Sequence, residues 1–147
     1  MTSESVVAII LARGGSKGIP KKNVRLFGGS PLVEWCLNAA LKSQKIDSVI
    51  LSSDSEEILD CGRKLNCEIH KRSEEHSQDT TTSEESMLAV IEEHPIAQSA
   101  EVLILVQPTS PFTKPEDFDA ALDLFELGEY DSLVTGVSDH SFSWEID

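Results

Sequence analysis

Short apolar runs separated by longer stretches of helical periodicity are what most restrict the folds open to this chain. VVAIIL (6–11), SVILSS (48–53), CEIH (67–70), EVLILVQ (101–107) and SLVTGV (132–137) have the length and composition of strands. Several are apolar at consecutive positions, as suits strands covered on both faces in a parallel sheet. Between most of them lie helical patterns. Ser30 and Pro31 suit the N-cap and first position of a helix over LVEWCLNAALKS, because proline's missing N–H is no loss there. DSEE (54–57) has capping-box spacing before ILDCGRKL, and TKPE (113–116) repeats it before DFDAALDLFEL, with Gly128 just beyond. SEESMLAVIEEH (83–94) stops at Pro95. The order β-α-β-α-β-loop-α-β-α-β, wound with right-handed crossovers, predicts a three-layer α/β sheet.

In such sheets ligands sit beyond the carboxyl ends of the strands, near the point where strand order reverses. Four loops follow strands, ARGGSKGIPKKN (12–23), SSDSEE (52–57), KRSEEHSQDTTTS (71–83) and PTSPFTK (108–114), and all are rich in polar groups. The 147 residues, 39% hydrophobic, are enough for one core, so the expectation is a single globular unit or part of a larger one.

Charge is unevenly spread. The net charge is -14, and residues 73–147 hold 18 acids but one base, Lys114; residues 5–33 hold five bases and no acid. That balance argues against general binding to nucleic acid or anionic membrane, both of which reward broad basic surfaces, and leaves a small anionic ligand compatible. Cys36, Cys61 and Cys67 are odd in number and lack CxxC spacing, so they suggest neither a disulfide framework nor a zinc site. No stretch approaches the ~20 apolar residues of a membrane span, and MTSESVVAIIL lacks the features of a signal peptide. A cytoplasmic location is the expectation.

The loop 12–23 is a local positive island. Glycine lets backbone N–H groups converge and approach a phosphate closely, and cations offset its charge; Gly14, Gly15, Gly18, Arg13, Lys17 and Lys22 supply both. Neither GxxxxGK[ST] nor GxGxxG is present. Composition alone leaves phosphate binding and a solvated basic turn both open.

The whole string LARGGSKGIPKKN after the first strand, with SSDSEEI after the second, RSEEHSQDTTTS after the third and QPTSP after a later one, resembles the CMP-N-acylneuraminate synthetases. The likeness runs from about Val6 to the end of the chain. It implies a three-layer Rossmann-like nucleotidyltransferase fold with a mainly parallel sheet. Residues 1–147 would form one incomplete cytidylyltransferase domain, cut after about the fifth strand. It also implies a reaction in which CTP and a sialic acid give CMP-sialic acid and pyrophosphate, with Mg2+.

Carried over position by position, the resemblance places Arg13, Ser16 and Lys17 along the triphosphate, with Lys17 offsetting charge as pyrophosphate departs. Lys22 and Asn23 match the pair beside the α-phosphate, where Lys22 would stabilise the transition state; Arg13, Lys17 and Lys22 are thus the catalytic candidates. Arg72 matches an arginine on the nucleotide side and Ser83 a serine near the cytidine, while Gln107 matches a glutamine facing the sugar. Lys21 falls at a variable position and reads as solvated. A surface ion pair with Glu74 or Glu75 is the other reading of Arg72, and satisfying loop backbone that of Gln107. Asp54 could approach metal or ribose but is explained by a helix N-cap. His76 and His140 lack metal-ligand spacing; Phe118, Leu122 and Phe125 read as core.

The family's magnesium-holding aspartates and a segment completing the sugar site across a dimer would lie beyond Asp147, so no metal ligand is expected here and the chain alone is expected to be inactive or nearly so. Two other readings stand beside the synthetase: a cytidylyltransferase for another nonulosonic acid, and a truncated, non-catalytic CTP-binding partner of a full-length enzyme. The resemblance further implies a homodimer or tetramer, and nuclear entry as an alternative to the cytoplasm.

Overall fold

A computed structural model describes residues 5–16, 18–73, 80–128 and 130–136. Four strands form one parallel sheet: β1 (Val6–Leu11), β4 (Ser48–Ser53), β5 (Glu68–Lys71) and β6 (Val102–Val106), in the order β5-β4-β1-β6. The chain adds β4 and β5 on one side of β1, then returns to place β6 on the other. Strand order therefore reverses at β1, and the crevice beyond its carboxyl end is flanked by the loops after β1 and β6.

β1 has neighbours on both edges and a helical layer on each face, which is why a continuous apolar run is stable there. Ala8 and Ile10 face one way, packing with Val49 and Leu51 of β4 against α1 (Leu32–Leu41), α2 (Glu56–Lys64) and Phe118 of α5 (Pro115–Leu127). Val7 and Ile9 face the other way, with Ile50, against Val90 of α3 (Ser83–Glu93) and Ala97 of the short α4 (Pro95–Gln98). Each fully buried Val, Leu or Ile contributes about 1.5–3 kcal/mol to this three-layer core. α2 lies especially close to the sheet: a Cβ on Gly62 would stand 2.8 Å from Leu51 Cδ2 and 2.9 Å from Ile69 Cδ1.

Three local expectations are corrected. Ser30 does not cap α1. It pairs with Phe27, and Pro31 with Leu26, in a small antiparallel hairpin of β2 (Leu26–Phe27) and β3 (Ser30–Pro31), so that Pro31 occupies the cap position. The turn between them is Gly28-Gly29, both at positive φ (58° and 92°), which the tightest hairpin turns require and glycine supplies without strain. Asp54 does not cap α2 either; Ser55 holds that position, with no side-chain bond to the helix. Lys114, rather than Thr113, precedes α5, and its N–H donates to the Asp117 carboxylate at 2.8 Å. α3 has the full reciprocal cap, with Thr82 and Glu85 each accepting from the other's backbone N–H.

The strand expected over 132–137 is absent from residues 132–136, and Val137 lies outside the described residues. Leu133, Val134 and Thr135 instead line a groove of about 640 Å³ along β6 and α5, with Phe118 and Leu122 at its base. No described helix is long and apolar enough to cross a membrane.

Candidate functional site

The carboxyl ends of β1, β4 and β5 are locked together by an extension of the sheet ladder. Ala12 N–H donates to the Ser52 carbonyl at 3.0 Å, and Arg72 N–H to the Ser53 carbonyl at 2.8 Å. This brings the residues just after β1 and just after β5 to either side of the end of β4, so Arg13 and Arg72 belong to one site although 59 positions separate them.

Loop 12–23 is shaped from within. The Asn23 side chain donates to the Arg13 carbonyl at 2.9 Å, and Ser16 N–H to the Gly14 carbonyl at 3.1 Å. Gly14 N–H donates to Asp54 Oδ1 at 2.8 Å, tying the loop to the end of β4. The role of Asp54 is therefore to hold this loop, and the Gly14 amide, one of the groups expected to converge on an anion, is already satisfied by a carboxylate. The chain then tightens into a single 3-10 turn (Lys22–Val24), entered through Lys21 in the left-handed region at φ 53°. That turn half-buries Lys22 and buries Asn23, whose Oδ1 has no hydrogen-bond donor among the described residues. Lys21 points away and pairs with Glu57 at 2.8 Å while mostly exposed, in keeping with its reading as a solvated lysine. Lys22 forms no ion pair with a described residue. Lys17 lies outside the described residues.

Arg72 is buried, 6% exposed, so it is not a surface side chain; Glu74 and Glu75, the partners of its other reading, fall outside the described residues. Its Nε donates to Ser52 Oγ at 3.3 Å and its Nη2 to the Ser52 carbonyl at 3.2 Å. Burial pushes the guanidinium below its ordinary pKa; Asp54 nearby opposes that and Arg13 adds to it. Two guanidinium groups close enough to disfavour one another, one of them buried, form a locus where an anion gains more than it would on an open surface.

Ser83 and Gln107 are not joined to this cluster by hydrogen bonds among the described residues. Ser83 is exposed at the first position of α3, behind the Thr82 cap. Gln107 is exposed where β6 ends and lines the groove beside that strand, while its carbonyl accepts Ser110 N–H at 3.3 Å. Among the described residues no three His, Cys, Asp or Glu side chains gather as metal ligands. The two carboxylates beside the loop, Asp54 and Glu57, accept from Gly14 N–H and pair with Lys21 respectively.

Sequence reasoning missed Ser52, His70 and Glu93. Ser52 Oγ lies 2.9 Å from His70 Nδ1, and His70 Nε2 lies 2.9 Å from Glu93 Oε2. A polar residue ending the apolar run SVILSS was a weak signal for Ser52 but not for its partners; His70, in EIHK, and Glu93 carried none.

Solved structures define the class. A CMP:2-keto-3-deoxy-manno-octonic acid synthetase complexed with CTP superposes with a TM-score of 0.71 at 19% identity, covering 83% of this chain and 47% of that one. A 4-diphosphocytidyl-2C-methyl-D-erythritol synthase superposes with a TM-score of 0.65 at 12% identity, covering 100% and 70%. At these identities the likeness establishes the fold, the Rossmann-like fold of nucleotidyltransferases. Within that class the chain belongs to the cytidylyltransferase family, which it matches over residues 7–143. It is 38% identical over 143 residues to N-acylneuraminate cytidylyltransferase A of Danio rerio, covering 97% of this chain and 33% of that protein. It is 33% identical over 127 residues to the CMP-N,N'-diacetyllegionaminic acid synthase of Legionella pneumophila, covering 83% and 53%. The chain thus spans about a third of the length of the N-acylneuraminate relative.

Proposed function

We propose that this chain is the nucleotide-holding portion of an enzyme that transfers CMP from CTP to the anomeric hydroxyl of a sialic acid and releases pyrophosphate. The observation that carries the reading is the buried Arg72 guanidinium set beside Arg13 at the carboxyl end of the sheet, where α/β folds take their ligands. In this reading Arg13, Ser16 and Lys17 line the triphosphate, Asn23 Oδ1 accepts from a nucleotide hydroxyl, and Ser83 stands by the cytidine. Cytosine presents O2 and N3 as acceptors, and Arg72 is the donor that distinguishes it from uracil.

In the reaction a P–O bond forms between the sugar oxygen and the α-phosphorus as the bridging bond to pyrophosphate breaks. Such a step asks the protein for alignment and charge stabilisation. Lys22, half-buried and without an ion pair to a described residue, supplies positive charge where negative charge grows. Mg2+ is the expected cofactor, and no step here passes through that ion.

Calorimetric titration of the chain with CTP, alongside a pyrophosphate-release assay with CTP, magnesium and N-acetylneuraminic acid, tests the proposal. CTP binding in preference to UTP is expected. Absence of CTP binding overturns the reading. A second sugar is favoured by one observation, the 33% identity to the legionaminic acid enzyme, so N,N'-diacetyllegionaminic acid belongs in the same assay.

A further inference from the structure

We infer that His70 and Glu93 are positioning residues for the nucleotide site, acting on Arg72 through the hydroxyl of Ser52. The inference rests on the reading that Arg72 contacts the nucleotide, and it is argued from a line of hydrogen bonds whose direction, for a neutral His70 ring, follows from which atoms can donate. A carboxylate can only accept, so at 2.9 Å from Glu93 Oε2 the His70 Nε2 carries the proton. In a neutral ring Nδ1 is then an acceptor, and at 2.9 Å it takes the hydroxyl proton of Ser52. With its proton so directed, Ser52 Oγ presents its lone pairs to Arg72 Nε at 3.3 Å, its other side-chain partner among the described residues.

Arg72 is thereby held at two points on one residue, Oγ through Nε and the carbonyl through Nη2. Fixing a planar guanidinium at two of its nitrogens leaves its remaining N–H groups aimed in one direction. Ser52 is fully buried and His70 is 6% exposed, so bulk solvent has little access to either partner. Glu93, half exposed on α3, is the solvent end of the line. The loops carry the groups that meet the ligand, whereas this line runs from Glu93 of α3 through His70 of β5 and Ser52 of β4 to the buried Arg72. The effect is pre-organisation: the rotamers of Arg72 are restricted before a nucleotide arrives.

Five variants of the chain and one spectrum test this. Ser52→Ala and His70→Gln are each expected to weaken CTP binding about tenfold, the loss of one hydrogen bond to a charged group. The Gln amide reaches towards Glu93 but leaves Ser52 unpartnered. His70→Asn does the reverse, offering its carbonyl where Nδ1 stood, and is expected to bind CTP within about threefold of the unaltered chain. The double variant Ser52→Ala/His70→Gln is expected to lose no more than either single change, because both interrupt the same line.

A merely structural role would lower the thermal midpoint and CTP affinity together in both His70 variants; equal affinity losses in Asn and Gln overturn the inference. Long-range 1H–15N spectra are expected to show the ring proton on Nε2, and a proton on Nδ1 overturns it as well, whether or not any variant folds. Arg72→Ala separates this idea from the reading beneath it. If Arg72→Ala abolishes CTP binding while Ser52→Ala and His70→Gln leave it intact, the positioning role falls alone. If Arg72→Ala leaves CTP binding unchanged, the nucleotide reading of Arg72 falls and takes the positioning role with it.

Discussion

The carboxylate of Asp54 accepts the Gly14 amide at 2.8 Å, so the positive loop after β1 is held in place by a negative charge. This sets two effects against each other at an anion site: the hydrogen bond shapes the loop, while the charge repels phosphate. Asn in this position keeps the accepting oxygen and removes the charge. Asp54→Asn is expected to bind CTP a few-fold more tightly at low salt, in line with roughly 1 kcal/mol for one unit charge at contact distance in water. Asp54→Ala, which loses the tie as well, is expected to bind more weakly than Asn. Calorimetry on both checks this, and weaker binding by the Asn variant would assign the carboxylate to the ligand instead.

Lys22 and Lys21 are adjacent and chemically identical, but the 3-10 turn half-buries one and leaves the other 73% exposed beside Glu57. In a chain that turns over, Lys22→Ala is expected to lower kcat by about 100-fold or more and CTP affinity by less than tenfold, because the charge it offsets grows in the transition state. Lys21→Ala is expected to change both by less than twofold. Steady-state kinetics with direct CTP titration distinguishes the two lysines.

Gly62 is a packing residue. A methyl group there would stand within 2.9 Å of both Leu51 Cδ2 and Ile69 Cδ1, and overpacking of this kind costs about 1–3 kcal/mol. The better helix propensity of alanine returns about 1 kcal/mol. Gly62→Ala is therefore expected to lower the thermal midpoint by a few degrees, measured by calorimetry, without altering the order of nucleotide preference.

Burial pushes the Cys36 thiol up from 9.0 to about 12. The neutral thiol is thus the form the native state favours, and its contribution to stability is complete below about pH 9 and declines as pH rises towards 12. Cys36 is expected to resist alkylation at pH 8 until the chain unfolds. The stability gap between the unaltered chain and Cys36→Ala is expected to narrow above pH 9 in denaturant titrations. Rapid native labelling of Cys36 would contradict the buried placement.

The apolar runs of β1, β4 and β6 were legible because a strand covered on both faces has little freedom in composition. The reversal of strand order was not, since nothing in the run VLILV says which edge of β1 it will join. β2 and β3 escaped notice because two-residue strands cannot show alternation, although the Gly-Gly pair between them was a turn signal. The expected strand at 132–136 failed for the opposite reason: SLVTGV has strand composition, but its described residues line a groove against α5 instead of extending the sheet. At the site, the composition of the loop marked Arg13 and Lys22 as cations, while Asn23 was named only through the resemblance of the string LARGGSKGIPKKN. Ser52, His70 and Glu93 could not be named, because their bonds span 18 to 23 positions and depend on the packing of α3.

The placement of β1 between β4 and β6 also bears on how the chain is made. β4 can join β1 once the chain has been made as far as Ser53, but the other edge of β1 pairs Val6 with Val102, and the bracing bond from Ser5 N–H to Glu101 spans 96 positions. During synthesis the wholly apolar β1 therefore emerges before its partners and waits longest with one row of N–H and C=O groups unpaired. Such non-local pairing slows folding and leaves an exposed edge in the interim. Early termination anywhere before β6 would yield a chain with an open, sticky β1, and on a ribosome that edge is the surface a chaperone has the most time to find.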